Sequence, residues 1–270
     1  MGYRDINPAR YHRPTKKFYE DIDRINIYTV ESESTRHPFY NVLVEFINKW
    51  NLKDKKCLEI GSSKGLLQNL FNNYTGVDIA ETLSVYYNKK YVVASGANLP
   101  FCDQSFDAIF SYATHEHIPD IEKALQEIVR VLKSGGVCLF APAWHTRPWF
   151  AQGYKLRSYA DLTLTQKLVK FSIPLRDFVL IRWPLVFLRR FYRLWGQITH
   201  GKQPTPLKYK KLRPNYEVYW QSDSDACNSI DPFDIILWFR SRGFICHGYK
   251  SLTKALFVRT SALELQKAVA

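Results

Sequence analysis

The chain has 270 residues, 46% of them apolar and 15% aromatic, enough to bury one large core and too apolar for a disordered segment. Its 38 Lys and Arg exceed its 25 Asp and Glu by 13, but the basic and aromatic residues follow no nucleic-acid module pattern, so a nucleic-acid partner is not expected. Five cysteines, at 57, 102, 138, 227 and 246, lack the close pairs of a zinc or redox motif; they read as reduced thiols of a cytosolic protein, and no metal site is expected.

Residues Met1 to Pro38 are polar and aromatic, and Tyr11-His12-Arg13-Pro14 suggests an arm that folds over a ligand. The opening Met1-Gly2-Tyr3-Arg4-Asp5-Ile6 lacks the apolar run of a secretory leader, and Ile6 stands where a myristoylation signal wants Ser or Thr; a cytoplasmic location is expected. Phe39 to Trp50 has helical spacing, with Val42, Leu43, Phe46 and Ile47 as its core face. Cys57 to Gly65 reads as a strand breaking into a tight turn, and a helix is predicted to resume at Leu66. Gly61 and Gly65 let the backbone bend sharply and leave room for a ligand against the first helical N–H groups, while Glu59 can face a cationic or hydroxylated group. Tyr74 to Ile79 is a second short strand ending at Asp78, where a parallel neighbour of the first strand can offer a carboxylate to a ribose diol.

Leu99-Pro100-Phe101 leads through Phe106-Asp107 into Ala108 to Ser111, a buried strand. Ile121 to Leu132 follows as a helix with Ile121, Ala124, Leu125, Ile128, Val129 and Leu132 on one face. It ends at Lys133-Ser134-Gly135-Gly136, and Val137 to Ala141 is the next strand. Between His145 and Arg213 there are 15 basic residues against Asp161 and Asp177, so this insertion holds the whole formal excess of 13. Within it, Arg176 to Trp195 reads as a basic amphipathic helix, kinked or started at Pro184, with Arg182, Arg189 and Arg193 on one arc and Leu185, Leu188, Phe191 and Trp195 opposite. A transmembrane reading fails, because each arginine costs roughly 2.5–3.5 kcal/mol near a bilayer centre. Two readings stay open: a lid or dimer contact that lays the apolar face on the domain and leaves the arginines solvated, or a peripheral contact of 176–195 with membrane or lipid substrate. Asp231-Pro232 starts a helix through Arg242. Gly243 stops it, and Phe244 to Tyr249 with Ala255 to Arg259 can pair as a terminal hairpin.

The ordered set of segments from Lys56 to Ala143 resembles the class I S-adenosylmethionine-dependent methyltransferases, in particular the type 11, UbiE-like subgroup with an LPF…FD stretch and an R-V-L-K-P-G-G stretch. The resemblance implies an α/β fold: a Rossmann-like, seven-stranded, mostly parallel sheet with a terminal antiparallel hairpin, plus a helical basic insertion after the fifth strand. The chain then divides into an arm (1–38), a cofactor core (39–143), the basic aromatic insertion (144–221) and a C-terminal return completing the sheet (222–270). The family's acidic-x-Gly-x-Gly-x-Gly turn maps onto Glu59, Gly61, Ser63 and Gly65, with Ser63 a departure expected to weaken cofactor binding. A second departure is Gly96, read at the position of the aspartate that accepts from the adenine amino group, so that adenine contacts fall to Ala97, Asn98 and Leu99. Asp78 with Ile79 implies the ribose contact, and Ser111 with Tyr112 lies at the edge of the fourth strand.

S-adenosyl-L-methionine is thus the implied cofactor, and the implied reaction is methyl transfer to a small-molecule or lipid-like acceptor. An oxygen acceptor needs a base, for which His117 and His145, following the fourth and fifth strands, are the candidates. Two rival functions stay open: a methyltransferase-like module that binds membrane or partners without catalysis, and a nicotinamide-dependent oxidoreductase. The latter is disfavoured because Leu66 stands at the last glycine of Gly-x-Gly-x-x-Gly. The acceptor and the oligomeric state are left undetermined.

Overall fold

The computed structural model describes residues 9–21, 33–200, 204–259 and 261–269; residues 1–8 and 22–32 of the predicted arm lie outside them. Helix α1 (Ala9–Glu20) precedes α2 (Tyr40–Trp50), after which the sheet begins with β1 (Lys56–Ile60), β2 (Asn73–Asp78), β3 (Lys90–Val93) and β4 (Phe106–Tyr112). Helix α3 (Ile121–Val131) leads into β5 (Leu132–Ala141), and the insertion contributes α4 (Leu164–Asp177) and α5 (Val179–His200). A short ribbon of β6 (Lys210–Lys211) and β7 (Asn228–Ser229) leads to α6 (Pro232–Arg240), β8 (Phe244–His247), α7 (Leu252–Leu256) and β9 (Leu263–Lys267). The seven-stranded sheet has the order β3-β2-β1-β4-β5-β9-β8, and β9 alone runs antiparallel to its neighbours.

Alternation along buried parallel strands distributes side chains to two apolar layers. Cys57, Phe110 and Leu139 face the layer closed by Leu43, Phe46 and Ile47 of α2; Leu58, Ile109, Cys138 and Phe140 face the layer closed by α3 and α6. Val42, predicted inward, is 41% exposed, because the α2 stripe is only three residues wide. The β1–β2 register sets Ile60 opposite Val77, and Glu59 also pairs with Phe110 of β4, so the ends of these three strands open onto one crevice.

Three expectations are corrected. No α-helix follows the glycine turn: only a 3-10 turn at Gln68–Leu70 intervenes before β2, since a dozen residues is the least a parallel crossover needs and leaves no length for a helix. The α3 helix stops at Val131, and Lys133 to Gly136 already belong to β5; a Cβ on Gly136 would stand 2.9 Å from Asp107 O. The strand that pairs with β8 is Leu263–Lys267, while Ala255 and Leu256, read as its strand partner, form part of α7.

The polarity of α5 is the largest difference from expectation. Arg190 is buried, its Nε 3.0 Å from Asp231 Oδ1, and its Nη1 donates to Leu256 O (2.8 Å) and Val258 O (2.9 Å). Arg189 also pairs with Asp231, and Arg193 Nε donates to Asp234 Oδ1 at 3.1 Å. Asp231 caps α6 as well, accepting from Phe233 N–H at 2.9 Å. These pairs anchor the α4–α5 hairpin to the body, with Arg190 buried, Arg193 partly buried and Arg189 still 58% exposed, and Leu185, Leu188 and Trp195 of α5 point outward.

Burial works against the charge of Asp231, but the Arg190 and Arg189 guanidiniums and His145 outweigh it and hold the carboxyl below its usual range. Its stabilising contribution is therefore complete above the unfolded-state value near 3.9 and is lost as pH falls through the lower folded-state value. Asp231→Asn leaves Arg190 buried without its counter-charge, so we expect a loss of about 3–5 kcal/mol in urea unfolding at pH 7. The difference between wild type and variant should shrink as the pH drops below about 4.

Candidate functional site

The bend after β1 is built from left-handed backbone. Gly61 has φ +75°, Ser63 φ +46° and Gly65 φ +64°. At Ser63 an L-residue occupies a conformation that glycine adopts freely, at a cost of about 1 kcal/mol. A Cβ on Gly61 would fall 2.1 Å from Thr114 Oγ1, and one on Gly65 would fall 2.6 Å from the Tyr87 ring, so both glycines are required by packing as well as by φ. The Tyr87 hydroxyl pins the bend from above, 2.8 Å from Ser63 O and 2.7 Å from Ser62 Oγ.

Asp78 closes β2 against this bend. Its Oδ2 accepts the Ser63 N–H at 3.0 Å and its Oδ1 the Ile79 N–H at 2.7 Å. Glu59, 6% exposed, accepts from the Tyr74 hydroxyl. Burial, followed by the nearby Asp78 charge, pushes Glu59 up to about 8 against the opposing Tyr74 hydrogen bond. Burial raises Asp78 too, in spite of its backbone N–H donors.

These groups line a cavity of about 230 Å³. Glu59, Gly61, Ser63 and Asp78 form its polar wall, and Ile79, Leu83, Ala94 and Ile118 an apolar slot beside it. Tyr112, stacked on Phe39 with centroids 4.9 Å apart, closes another side. Thr15 and Tyr19 of α1 also line the cavity; α1 is held there by Thr15 Oγ1 donating to the Tyr216 hydroxyl at 2.7 Å and by a Tyr19 hydrogen bond to Asp225.

Of the sequence-predicted residues, Glu59, Gly61, Ser63, Asp78, Ile79, Tyr112 and His117 meet in this cavity. Gly65 sits behind the bend under Tyr87, and Ser111 is buried with its Oγ 3.0 Å from His115 Nδ1. Ala97, Asn98 and Leu99 do not line the cavity, because the chain turns away after β3 and Leu99 N–H donates to Glu127. Ser95, directly before Gly96, lines the cavity and accepts the Ala97 N–H through its Oγ at 3.2 Å. Gly96 is the next position, and a Cβ there would meet Ile118 and Ile60 at 2.8 and 2.9 Å.

Neither histidine fits the role of base at this cavity. His117 Nδ1 lies 3.0 Å from Asp225 Oδ2, and its Nε2 lies 3.6 Å from Glu116 Oε1 and 3.8 Å from Asp223 Oδ1. Burial alone would lower its pKa, but the three carboxylates, Asp225 foremost, push it up to about 10, so the ring carries its proton at neutral pH. His145 lines a separate cavity of about 670 Å³ beneath the α4–α5 hairpin, and burial lowers it to about 4. Glu116, His117 and Asp223 place ligand-type atoms within 4.8 Å of one another, but a protonated His117 ring has no lone pair to offer a metal, and the cluster is an ion-pair network. Asp223, Asp225 and Tyr87 carried no sequence signal, since each reaches the site only by packing, whereas α1 belongs to the arm expected to fold over a ligand, and its Thr15 and Tyr19 line the cavity.

Residues 58–140 match the family model described as a methyltransferase domain. The ubiquinone/menaquinone biosynthesis C-methyltransferase of Rickettsia prowazekii is 37% identical over 92 residues, 32% of this chain and 36% of that one. The malonyl-[acyl-carrier protein] O-methyltransferase 1 of Coxiella burnetii is 31% identical over 105 residues, 37% of each chain. The matches thus span well under half the length of these relatives. Among solved structures, an S-adenosylmethionine-dependent methyltransferase from Methanosarcina mazei aligns with a TM-score of 0.45 and 16% identity over 83% of this chain and 98% of that one.

The carboxylate ring around His117 has a direct spectroscopic consequence. A folded-state pKa above the unfolded value near 6.5 means the stabilisation is fully present below that value and is lost as pH rises through about 10. Nitrogen-15 shifts of the His117 ring should therefore be those of an imidazolium at pH 8; a neutral ring at that pH would contradict the geometry.

Proposed function

We propose that this chain, which carries a class I S-adenosylmethionine-dependent methyltransferase domain at residues 58–140, moves a methyl group to a small-molecule or lipid-like acceptor by in-line displacement. The observation that carries this reading is the pair of carboxylates, Glu59 and Asp78, set in one cavity wall beside a left-handed bend that excludes any Cβ at Gly61.

The donor set suits the cofactor's charge and shape. Burial makes Glu59 and Asp78 resist ionisation, and a cationic ligand beside them offsets that desolvation cost. Asp78 keeps lone pairs for a diol while its backbone donors fix the carboxylate plane, and the slot of Ile79, Leu83 and Ile118 accepts a flat apolar ring. When bound, S-adenosylmethionine supplies a methyl group already activated by its sulfonium. What the protein contributes is placement: Tyr87 holds the bend rigid, α1 closes the cavity through Thr15 and Tyr19, and Tyr112 walls it from the α2 side.

The same bend weighs against a nicotinamide cofactor. A pyrophosphate is held by the N–H groups opening a helix, and here a single 3-10 turn stands in that place. Binding of lipid-like acceptors is supported by the apolar hairpin flanking the body, and the cytoplasmic side of a membrane is the proposed place of action.

Calorimetric titration tests this. We expect micromolar-range binding of S-adenosylmethionine, no heat with NAD, and a weakening of at least about tenfold in Asp78→Asn, whose NH2 would oppose one of the two backbone N–H groups that the carboxylate accepts and so loosens the bend as well as the diol contact. Saturation at 100 times the dissociation constant should raise unfolding stability by about 2.7 kcal/mol. A wild-type chain that binds neither cofactor would leave the non-catalytic reading in its place.

A further inference from the structure

Helices α4 and α5 carry their apolar stripes on the outside. On α4, Leu164, Leu168, Phe171 and Leu175 recur at helical spacing and are 76%, 63%, 77% and 61% exposed. On α5, Leu185, Leu188, Tyr192 and Trp195 do the same, between 59% and 77% exposed. Phe178, Val179 and Leu180 continue the surface across the junction of the two helices, all exposed. A solvated helix normally buries such a stripe, and here the inward face of α5 is taken by Arg190, Arg193 and the buried Leu194. The exposed face therefore follows from the buried arginine pairs to Asp231 and Asp234, which hold the hairpin in this orientation.

We infer that this face seats the protein on an anionic lipid bilayer, lying in the interface with its leucines and aromatics among the acyl chains. The charge of the segment selects this occupant. The stretch from His145 to Arg213 holds the chain's whole formal excess of 13, and Lys167, Arg176 and Arg182 form no ion pair among the described residues. Arg176 lies over Trp149 on the inner side of the hairpin, so it is the net positive charge of the segment that draws it to an anionic surface, at about 1 kcal/mol for each cation that comes near the head groups. A second copy of the chain would bring the same positive surface to the same patch, a like-charge contact that works against a symmetric dimer. Crossing is excluded, since no helix among the described residues is long and apolar enough to span a bilayer. Seating is interfacial, with two apolar stripes submerged side by side.

Of the arc read from sequence, Arg182, Arg189 and Arg193, the last two are anchors together with Arg190, so reversal of these three to Glu would unseat the hairpin and report on folding. The informative substitutions lie on the exposed stripes. Vesicle flotation of the whole chain uses phosphatidylcholine alone and phosphatidylcholine with added phosphatidylglycerol. We expect flotation with the anionic vesicles, reduced at high salt, and about tenfold weaker partition for Phe171→Glu/Leu188→Glu. Unchanged S-adenosylmethionine binding and an unchanged melting temperature would show that variant to be folded. Failure of the wild type to float with anionic vesicles, or equal flotation of the variant, overturns the inference. So does a wild-type dimer by light scattering that the same substitutions convert to monomer without any vesicle binding. The inference stands apart from the methyl-transfer reading: flotation uses no cofactor, so loss of cofactor binding in every form would sink that reading and leave this one.

Discussion

The contact on which the site depends is the hydrogen bond from Ser63 N–H to the Asp78 carboxylate. It joins the bend after β1 to the end of β2 and holds an L-residue in a left-handed conformation that the isolated peptide would avoid. Parallel pairing makes this contact possible, because the register that sets Ile60 opposite Val77 brings Ser63 and Asp78 to the same edge of the sheet. With no helix after the bend, backbone amides and the Tyr87 hydroxyl do the work a helix N-terminus does in longer crossovers. The cavity sets two carboxyl groups, Glu59 and Asp78, in one wall, with Lys64 and the protonated His117 also lining it.

A second constraint governs the insertion. Asp231 caps α6 and pairs with two arginines of α5, joining the insertion to the body through charge beside the apolar contacts of Phe187 and Leu194. Buried ion pairs contribute little net stability compared with apolar packing of the same volume, but they fix geometry, because breaking one partner is costly. Here that geometry leaves two amphipathic helices with their greasy sides in solvent. The site and the hairpin are thereby matched: one end of the sheet holds a small cavity closed by α1, and the insertion supplies an outward face suited to a lipid surface.

Much of the fold was legible. The apolar runs at Cys57 to Ile60, Tyr74 to Val77 and Val137 to Ala141 are strands because hydrophobic period and length are local properties, and Asp78 stood out as a carboxylate ending such a run. The stripe of Ile121, Ala124, Leu125 and Ile128 is likewise a buried helix face. The helix predicted after Gly65 failed for a reason of length, not of pattern: Leu66, Leu67 and Leu70 have helical spacing, but the chain must return to β2 at Asn73. Ala255 to Arg259 failed as a strand because a short apolar run is ambiguous, and Leu263 to Lys267 offered the better partner for both β5 and β8.

By itself the sequence determined the strands β1, β2, β4 and β5, the helices α2, α3 and α6, the glycine bend, the acidic end of β2 and the amphipathic, basic character of the insertion, since each depends on residues within a few positions of one another. Only the tertiary structure decided which face of α5 is buried, because periodicity reports that two faces differ and not which meets the body; that choice fell to Asp231 and Asp234, some forty residues away. The same holds for His117. Its place after β4 was readable, but its charge state is set by Asp223 and Asp225, more than a hundred residues on, and a proton affinity follows from the charges gathered in space around a group.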